Sequence, residues 1–203
     1  LLRKFLNIFK DFRTLRLYRG RFRKGKLIIV SGPSGSGKST VTKIVKDKLN
    51  IPLSISATTR KPRNGEIDGK DYYFLTKEEF LQKIKNDEFY EYANVHGNYY
   101  GTLKKAVEDN LEKGINVILE IDVQGALIAK EKKKDAVLVF FKTENLEVLE
   151  NRLRNRKTDS DEVIELRLKN AQKELEYEKE YDYVVINKEI EQSCNDLIKI
   201  INL

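Results

Sequence analysis

The chain has 203 residues, of which 40% are hydrophobic and 35% are charged, and this length fits one domain or one domain with an inserted lobe. The apolar share excludes a disordered chain, and no apolar run approaches the ~20 residues of a membrane-spanning helix. The single cysteine, Cys194, and the single histidine, His96, exclude a disulfide framework, a cysteine-based zinc cluster and a histidine-rich metal site. A reduced, intracellular setting fits best.

The positive charge of the chain is concentrated at its beginning. The net charge is +7, while residues 1–26 alone contain ten Lys and Arg side chains and one acid, Asp11. The rest of the chain is therefore close to neutral. The basic isoelectric point of the whole chain comes from residues 1–26 and does not by itself indicate a nucleic-acid binder.

Residues 1–23 admit three interpretations. Apolar residues such as Leu2, Phe5 and Phe9 could line one face of a basic amphipathic helix, which would bind a membrane surface or a nucleic acid. An arginine-rich organellar presequence is the second interpretation, although the segment has no serine. We favour the third, a stretch with no folded role, since the sequence begins with Leu1 and contains no Met.

The next segment has the pattern of a parallel α/β unit. Residues 27–30 (LIIV) form a continuous apolar run, as expected for a strand buried on both faces. A glycine-rich loop follows, and residues 40–49 then show helical spacing of apolar side chains. Asn50, Ile51 and Pro52 end that helix.

Residues 53–100 do not continue the alternation and predict an inserted lobe. Residues 53–75 read as short strands between turns, and Thr76 with Glu79 forms a capping box that opens a helix over residues 78–85. Residues 89–100 are aromatic and are expected to be irregular.

The remainder returns to alternating strands and helices. We predict strands at 117–121, 137–141 and 183–186, and helices at 103–112, 146–156, 162–177 and 190–201. The pattern predicts an α/β fold with a mostly parallel sheet covered by helices on both faces.

Residues 32–39 (GPSGSGKS) match the phosphate-binding pattern G-x-x-x-x-G-K-[ST]. The glycines let backbone N–H groups converge on phosphates, and the helix that follows adds the positive end of its dipole. Lys38 would reach the β- and γ-phosphates, and the Ser39 hydroxyl could ligate Mg²⁺. A buried strand before the loop and a helix after it supply the context that the motif requires.

A phosphate loop alone leaves a GTPase, an ATPase motor and a small kinase open. The segment after it contains Arg60 and Arg63, whose guanidinium groups suit a phosphate monoester. Further on, Glu91 supplies a carboxylate, and residues 97–102 supply a phenol and a hydroxyl.

From about residue 24 to 201 the sequence resembles the guanylate kinases, which transfer phosphate from ATP to GMP. The resemblance rests on five ordered segments: GPSGSGKST, SATTRKPRNGEIDGKDYYF, EFYEYANVHGNYYGT, LEIDVQGA and NRLRNRKTDSDEVIELRL. It implies a P-loop kinase fold with a mixed α/β GMP-binding lobe at 53–102 and a helical lid at 146–168. The core would comprise residues 24–52, 103–145 and 169–203, and residues 1–23 would lie outside the fold.

The resemblance also implies a role for each matching residue. The GMP phosphate would be held by Arg60, Arg63, Tyr72 and Tyr100, and the guanine would be surrounded by Ser56, Glu91, Thr102 and Asp122. ATP would bind Gly32, Pro33, Ser34, Gly35, Ser36, Gly37, Lys38, Ser39, Thr40 and, near the adenine, Asn187. Arg152 and Arg156 would act from the lid, and Arg167 would reach the transferring phosphate, so that the catalytic set is Lys38, Arg60, Arg152, Arg156 and Arg167.

The chemistry of guanine agrees with the expected pocket. Guanine presents N1–H and N2–H₂ as donors and O6 as an acceptor, so Glu91 or Asp122 can accept from the donors and a Ser56 or Thr102 hydroxyl can donate to O6. Adenine would leave these groups mispaired. Glu120 and Asp122 end the strand at 117–121 in a Walker-B-like position, where with Ser39 they would orient Mg²⁺ through its water molecules.

The expected activity is phosphoryl transfer from ATP to GMP in cytoplasmic purine metabolism, with Mg²⁺ and with neither nucleic acid nor membrane as a partner of the core. Two rivals remain: a related module that holds a phosphopeptide in the GMP lobe, and a P-loop kinase for another monophosphate. The intact Gly37, Lys38 and Ser39 favour the enzyme. His96 is expected to be structural, the glutamates of 174–180 to form a solvated helix face, and oligomeric state stays undecided.

Overall fold

A computed structural model of the protein describes residues 24–95, 97–155 and 160–203. The core of this part is a parallel sheet in the order β6-β1-β7-β8. Its strands are β1 (Leu27–Ser31), β6 (Val117–Glu120), β7 (Val137–Lys142) and β8 (Tyr183–Ile186). All five residues of β1 are buried, because the strand lies in the middle of the sheet and is covered on both faces.

Helices cover both faces of this sheet. Ile28 and Val30 pack with helices α1 (Lys38–Leu49) and α7 (Ile190–Asn202), while Leu27 and Ile29 pack on the other face. The helices there are α3 (Lys104–Leu111) and α4 (Val123–Lys132). Alternate residues of β1 serve opposite layers because successive side chains of a strand point to opposite sides. The predicted fold class is confirmed.

Residues 57–103 form a second sheet in the order β3-β2-β5-β4. Its strands are β2 (Ala57–Thr58), β3 (Tyr73–Phe74), β4 (Phe89–Val95) and β5 (Asn98–Leu103). Helix α2 (Lys77–Lys85) packs on this sheet through Phe80 and has the predicted capping box between Thr76 and Glu79. In the segment that joins α1 to β2, Leu53 makes a single parallel bridge to Ile118 of β6.

Helices α5 (Leu146–Asn155) and α6 (Asp161–Leu175) form a separate small hydrophobic cluster. Its buried members are Leu149, Leu153, Ile164 and Ala171. A short 3₁₀ helix over Glu178–Glu180 then leads into β8. No described helix combines the length and the apolar character that crossing a bilayer requires.

One expectation about secondary structure was wrong, and one helix was missed. Residues 89–100, expected to be irregular, contain β4 and the first half of β5, and the pairing of the two strands shifts register between Phe89 and Tyr92 of β4. This shift interrupts the alternation by which a strand is recognised in a sequence. Helix α4 was not predicted, because it packs through small residues, Gly125, Ala126 and Ala129, rather than a stripe of long apolar side chains.

Candidate active site

The phosphate loop lies between β1 and α1 and requires glycine at two positions that do not tolerate a side chain. Gly32 has φ 135°, and a Cβ there would lie 2.1 Å from the Phe141 carbonyl oxygen. Gly37 has φ 85°, and a Cβ there would lie 2.2 Å from Nδ2 of Asn187. The glycines therefore set both the left-handed backbone of the loop and its close packing against β7 and the segment after β8.

The lysine of the loop folds back over it. Lys38 Nζ donates to the carbonyl oxygens of Gly32 at 2.8 Å and Pro33 at 3.3 Å. Lys38 is the first residue of α1, so its ammonium group and the first backbone N–H groups of the helix lie at the same end. This end of α1 is suited to bind the phosphates of a nucleotide.

Ser39 and Glu120 are joined directly, as the Walker-B-like position predicts. The Ser39 hydroxyl donates to Oε1 of Glu120, and the Thr42 hydroxyl donates to Oε2 at 2.8 Å. A hydroxyl and a carboxylate oxygen are hard ligands, and Mg²⁺ typically takes one or two such protein ligands beside water and substrate phosphates. Ser39 and Glu120 fit a magnesium ion that arrives with ATP. No cluster of three or more His, Cys, Asp or Glu side chains in the described residues could hold a metal by itself.

Asn187 and Arg152 brace the loop from outside. Asn187 is only 2% exposed, and it donates from Nδ2 to the Ser36 carbonyl at 2.8 Å while accepting from the Ser193 hydroxyl at 2.9 Å. Arg152 of α5 donates to the carbonyl oxygens of Asn187 at 2.8 Å and of Ser36 at 3.4 Å. Helix α5 and the residue that follows β8 therefore both contact the Ser36 carbonyl of the loop.

A cavity of about 520 Å³ opens beside Asn187 and Arg152. Thr40 is among the residues of the loop and α1 that line it. The rest of its wall is formed by Arg152, Asn187 and residues 188–191.

The loop also contacts α5 and α6. Gly35 of the loop packs against Leu149 and Leu153 of α5. A Ser34 hydroxyl on the exposed side of the loop accepts from Arg167 of α6 at 3.1 Å. Arg156, the second predicted lid arginine, lies outside the described residues, as does His96.

In the second sheet, Arg60, Tyr72 and Tyr100 form one cluster. The Arg60 guanidinium lies 5.4 Å from the centre of the Tyr72 ring, which packs edge-to-face with Tyr100 at 6.1 Å. Arg60 also forms a two-point ion pair with Glu66, which raises the pKa of the guanidinium, and Tyr100 contributes a hydrogen bond. The structure thus brings together three of the four residues predicted to hold a phosphate.

The fourth, Arg63, is tied to the same carboxylate through its backbone. The Arg63 N–H donates to Glu66 at 2.7 Å, and the Arg63 side chain is exposed. Ser56 directly precedes β2, and its carbonyl oxygen accepts from the Tyr73 N–H at 2.9 Å. Sequence reasoning missed Glu66, although its position three residues after Arg63 in the segment NGEIDG was visible.

Glu91 and Asp122 line a cavity of about 500 Å³ next to α4. Glu91 is 8% exposed and accepts from the Thr102 hydroxyl at 2.7 Å. Asp122 caps α4 by accepting from the Gly125 N–H at 2.8 Å. The Thr102 backbone also supports the Glu91 carboxylate, and the two carboxylates present acceptor groups to a ligand with N–H donors in this cavity.

Burial raises the pKa of the Glu91 carboxyl above its ordinary value, and the negative charge of Asp122 raises it further. The Thr102 hydroxyl acts in the opposite direction, because it donates to the ionised form. A raised pKa means that the ionised carboxylate has lost hydration without full compensation. N–H donors from a ligand would supply that compensation.

The same cavity includes residues that the sequence did not indicate. Helix α6 contributes Asn170, Lys173 and Glu174 to its wall. Glu174 was expected on a solvated helix face, but it is half-buried, so that expectation was wrong for this residue. Its position in the helical pattern alone could not show this, because the way α6 packs in the folded protein decides which of its faces meets the cavity.

Comparison with known proteins gives one consistent family. A family model described as guanylate kinase matches residues 24–203. Guanylate kinase of Fusobacterium nucleatum subsp. nucleatum is 67% identical over 177 residues, which cover 87% of this chain and 96% of that protein. Guanylate kinase of Clostridium tetani is 48% identical over 88% of this chain and 86% of that one. The crystal structure of guanylate kinase from Anaplasma phagocytophilum matches with a TM-score of 0.69 and 37% identity, over 89% of this chain and 86% of that one.

Proposed function

The chain belongs to the guanylate kinase family, and on that premise we propose how its own residues carry out the family reaction. The protein transfers the γ-phosphate of ATP to GMP, which gives ADP and GDP. The observation that carries the residue assignment is the Arg60, Tyr72 and Tyr100 cluster, because it occurs in the same chain as an intact phosphate loop.

On the donor side, residues 32–40 bind the phosphates of ATP. Gly32, Gly35 and Gly37 allow the backbone to approach the phosphates, and Lys38 moves from its carbonyl partners to the β- and γ-phosphates when they arrive. Asn187 and Arg152 hold the loop and border the cavity that takes the adenine side of ATP. Arg167, already at Ser34, reaches the transferring phosphate, and Arg152 and Arg156 act from the lid that closes over ATP.

On the acceptor side, Arg60, Arg63, Tyr72 and Tyr100 bind the phosphate of GMP. The Glu66 carboxylate fixes the orientation of the Arg60 guanidinium and leaves further N–H groups of that side chain for a phosphate oxygen. Two of these four residues are phenols, which donate to phosphate without adding charge.

The guanine binds in the cavity at Glu91 and Asp122. The two carboxylates accept from N1–H and N2–H₂, and the Ser56 hydroxyl donates to O6. The one hydroxyl proton of Thr102 is given to Glu91, so Thr102 acts in this site by orienting that carboxylate, and it could donate to O6 only by releasing Glu91. Adenine carries a lone pair at N1 where guanine has a proton, so it would face a buried carboxylate with no donor. This mismatch is the basis of the expected preference for GMP.

The reaction is an in-line attack of a GMP phosphate oxygen on the γ-phosphorus of ATP. The new O–P bond forms as the bond between the γ-phosphorus and the bridging oxygen of ADP breaks, and that oxygen takes the electron pair. The attacking oxygen is already ionised, so a strong general base is not needed. The chain contributes positioning and charge neutralisation through Lys38 and the arginines.

Magnesium is part of this proposal. When bound with ATP, Mg²⁺ supplies neutralisation of phosphate charge. Ser39 would hold it directly, and Glu120 and Asp122 would hold its water molecules.

We place the reaction in the cytoplasm, with ATP and GMP as the partners of the core and no role for nucleic acid or membrane. The core comprises residues 24–52, 103–145 and 169–203, the GMP-binding lobe residues 53–102 and the lid residues 146–168, and residues 1–23 lie outside the fold.

A coupled assay with ATP and Mg²⁺ tests the proposal directly. GMP, AMP, CMP and UMP are offered separately as acceptors to the full chain, and the Lys38→Ala variant serves as the inactive control. We expect ADP formation that depends on GMP and disappears in the variant. Consumption of another monophosphate in preference to GMP, or turnover that survives in Lys38→Ala, would contradict the proposal.

A further inference from the structure

One face of α6 extends from the phosphate loop to the acceptor cavity. Arg167 donates to Ser34 of the loop, and Asn170 and Glu174 line the cavity that contains Glu91. Arg167 and Glu174 are seven residues apart, and at 3.6 residues per turn they project from nearly the same side of a helix. Side chains on this face therefore meet both halves of the site.

Glu174 lies within electrostatic reach of both halves. Burial raises the pKa of its carboxyl, the charge of Lys38 lowers it, and the charge of Asp122 raises it. Lys38 belongs to the donor side of the site, where the phosphate of GMP must meet the γ-phosphate of ATP, and Asp122 belongs to the guanine side. Glu174 lines the guanine cavity and faces the donor side, so it lies along the path that the sugar and phosphate of GMP take from the base toward ATP.

In GMP that part is the ribose. We propose that Glu174 and Asn170 bind the ribose hydroxyls of the acceptor nucleotide, an inference that rests on the proposed function of the cavity as the GMP site. The two side chains are positioned one helical turn apart on the cavity wall. They determine how strongly the enzyme prefers a ribonucleotide to its deoxy analogue.

The chemistry of the two groups suits vicinal hydroxyls. An ionised carboxylate accepts from two O–H donors, and an amide both accepts and donates. Hydrogen bonds to a charged acceptor are the stronger kind, so Glu174 contributes more than Asn170. A hydroxyl donor also restores part of the hydration that the half-buried carboxylate has lost.

The test compares acceptors that differ only in the sugar. Initial rates are measured for GMP, 2′-deoxy-GMP and 2′,3′-dideoxy-GMP with the wild-type chain and with Glu174→Ala, Glu174→Gln and Asn170→Ala. We expect Glu174→Ala to raise KM for GMP about 10-fold and Glu174→Gln to raise it less, with KM for ATP unchanged. With 2′,3′-dideoxy-GMP the same variants should match the wild type.

Glu165→Ala is the matched control, because Glu165 is exposed on α6 and lies nine residues before Glu174, on the opposite side of the helix. Thermal unfolding of each variant reports any loss of the fold, and Asn170→Ala carries the comparison if Glu174→Ala does not fold. An equal penalty on GMP and on the dideoxy analogue, or no penalty on either, overturns the inference. A wild-type chain that does not phosphorylate GMP overturns the proposed function instead.

Discussion

The Glu66 carboxylate accepts hydrogen bonds from both terminal nitrogens of Arg60, Nη1 at 3.0 Å and Nη2 at 2.8 Å. It also accepts a hydrogen bond from the backbone N–H of Arg63 at 2.7 Å. Both side chains of the ion pair are largely buried, with 16% and 20% exposure. One carboxylate therefore fixes the direction of one proposed phosphate ligand and the backbone of another.

Removing the charge of Glu66 should weaken GMP binding and leave ATP binding unchanged. In Glu66→Gln the Arg60 guanidinium loses its charged partner and samples more orientations, so we expect KM for GMP to rise about 3- to 10-fold. Steady-state kinetics with each substrate varied in turn measures this. Glu78→Gln, at an exposed position of α2, is the control and should behave as the wild type. An unchanged KM for GMP in Glu66→Gln would show that Arg60 is positioned by other contacts.

Glu91→Gln should reduce discrimination against AMP more than it reduces phosphate binding. The amide cannot accept from both guanine donors, and loss of a hydrogen bond to a charged group corresponds to roughly 10- to 100-fold in kcat/KM for GMP. The ratio of kcat/KM values for GMP and AMP is the readout. A ratio equal to that of the wild type would remove Glu91 from base recognition.

The raised pKa of Glu91 makes GMP binding sensitive to pH above the range in which a glutamate ordinarily titrates. A raised pKa means that protonation begins at a higher pH, and the protonated carboxyl has lost an acceptor. As the pH falls into the range in which this carboxyl takes up a proton, KM for GMP should therefore rise in the wild type.

The phosphate of GMP also titrates in this range, so the comparison with Glu91→Gln isolates the carboxyl. Protonated glutamate and glutamine are similar in shape and polarity. The gap in KM between the wild type and the variant should therefore narrow as the pH falls. A gap that stays constant over the whole range would show that Glu91 does not titrate there.

The phosphate loop, the strands of the parallel sheet and most of the helices could be predicted because their signals are local. A continuous apolar run, a glycine pattern and a capping box each lie within a few neighbouring residues. Glu66 and Glu174 could not be assigned in this way. Their roles depend on which side chain or cavity lies opposite them after the lobe and α6 have packed, and a charged residue on a helix ordinarily faces solvent.

Helix α4 could not be predicted either, because it also depends on packing more than on its local sequence. Asp122 was expected to serve the guanine and the metal, and the structure shows that it also caps this helix. An acid followed by Val123, Gln124 and Gly125 carries a weak helical signal, since glycine is unfavourable inside a helix. Close packing of α4 on β4 supplies the stability that the local sequence lacks.

Phe80 gives a test of how the GMP lobe is held together. Its ring is fully buried, stacks on Phe89 at 4.3 Å and lies 5.4 Å from the ring of Tyr99. Phe80→Ala removes most of the side chain from the centre of a small cluster, and we expect a loss of about 3–5 kcal/mol in the free energy of unfolding. Leu81→Ala, at the next position of α2, is the matched control, because Leu81 is 37% exposed.

The two variants are compared by urea denaturation and by hydrogen exchange. Leu81→Ala should cost clearly less than Phe80→Ala, because Leu81 is partly exposed and does not belong to the cluster around Phe80. In Phe80→Ala, exchange should increase first in β4 and β5, which share the cluster with Phe80, and less in β1. KM for GMP should also rise in Phe80→Ala, because Tyr100 and Thr102 lie on β5 and depend on the order of that strand. Equal losses of stability in the two variants would contradict the assignment of Phe80 as the centre of the lobe.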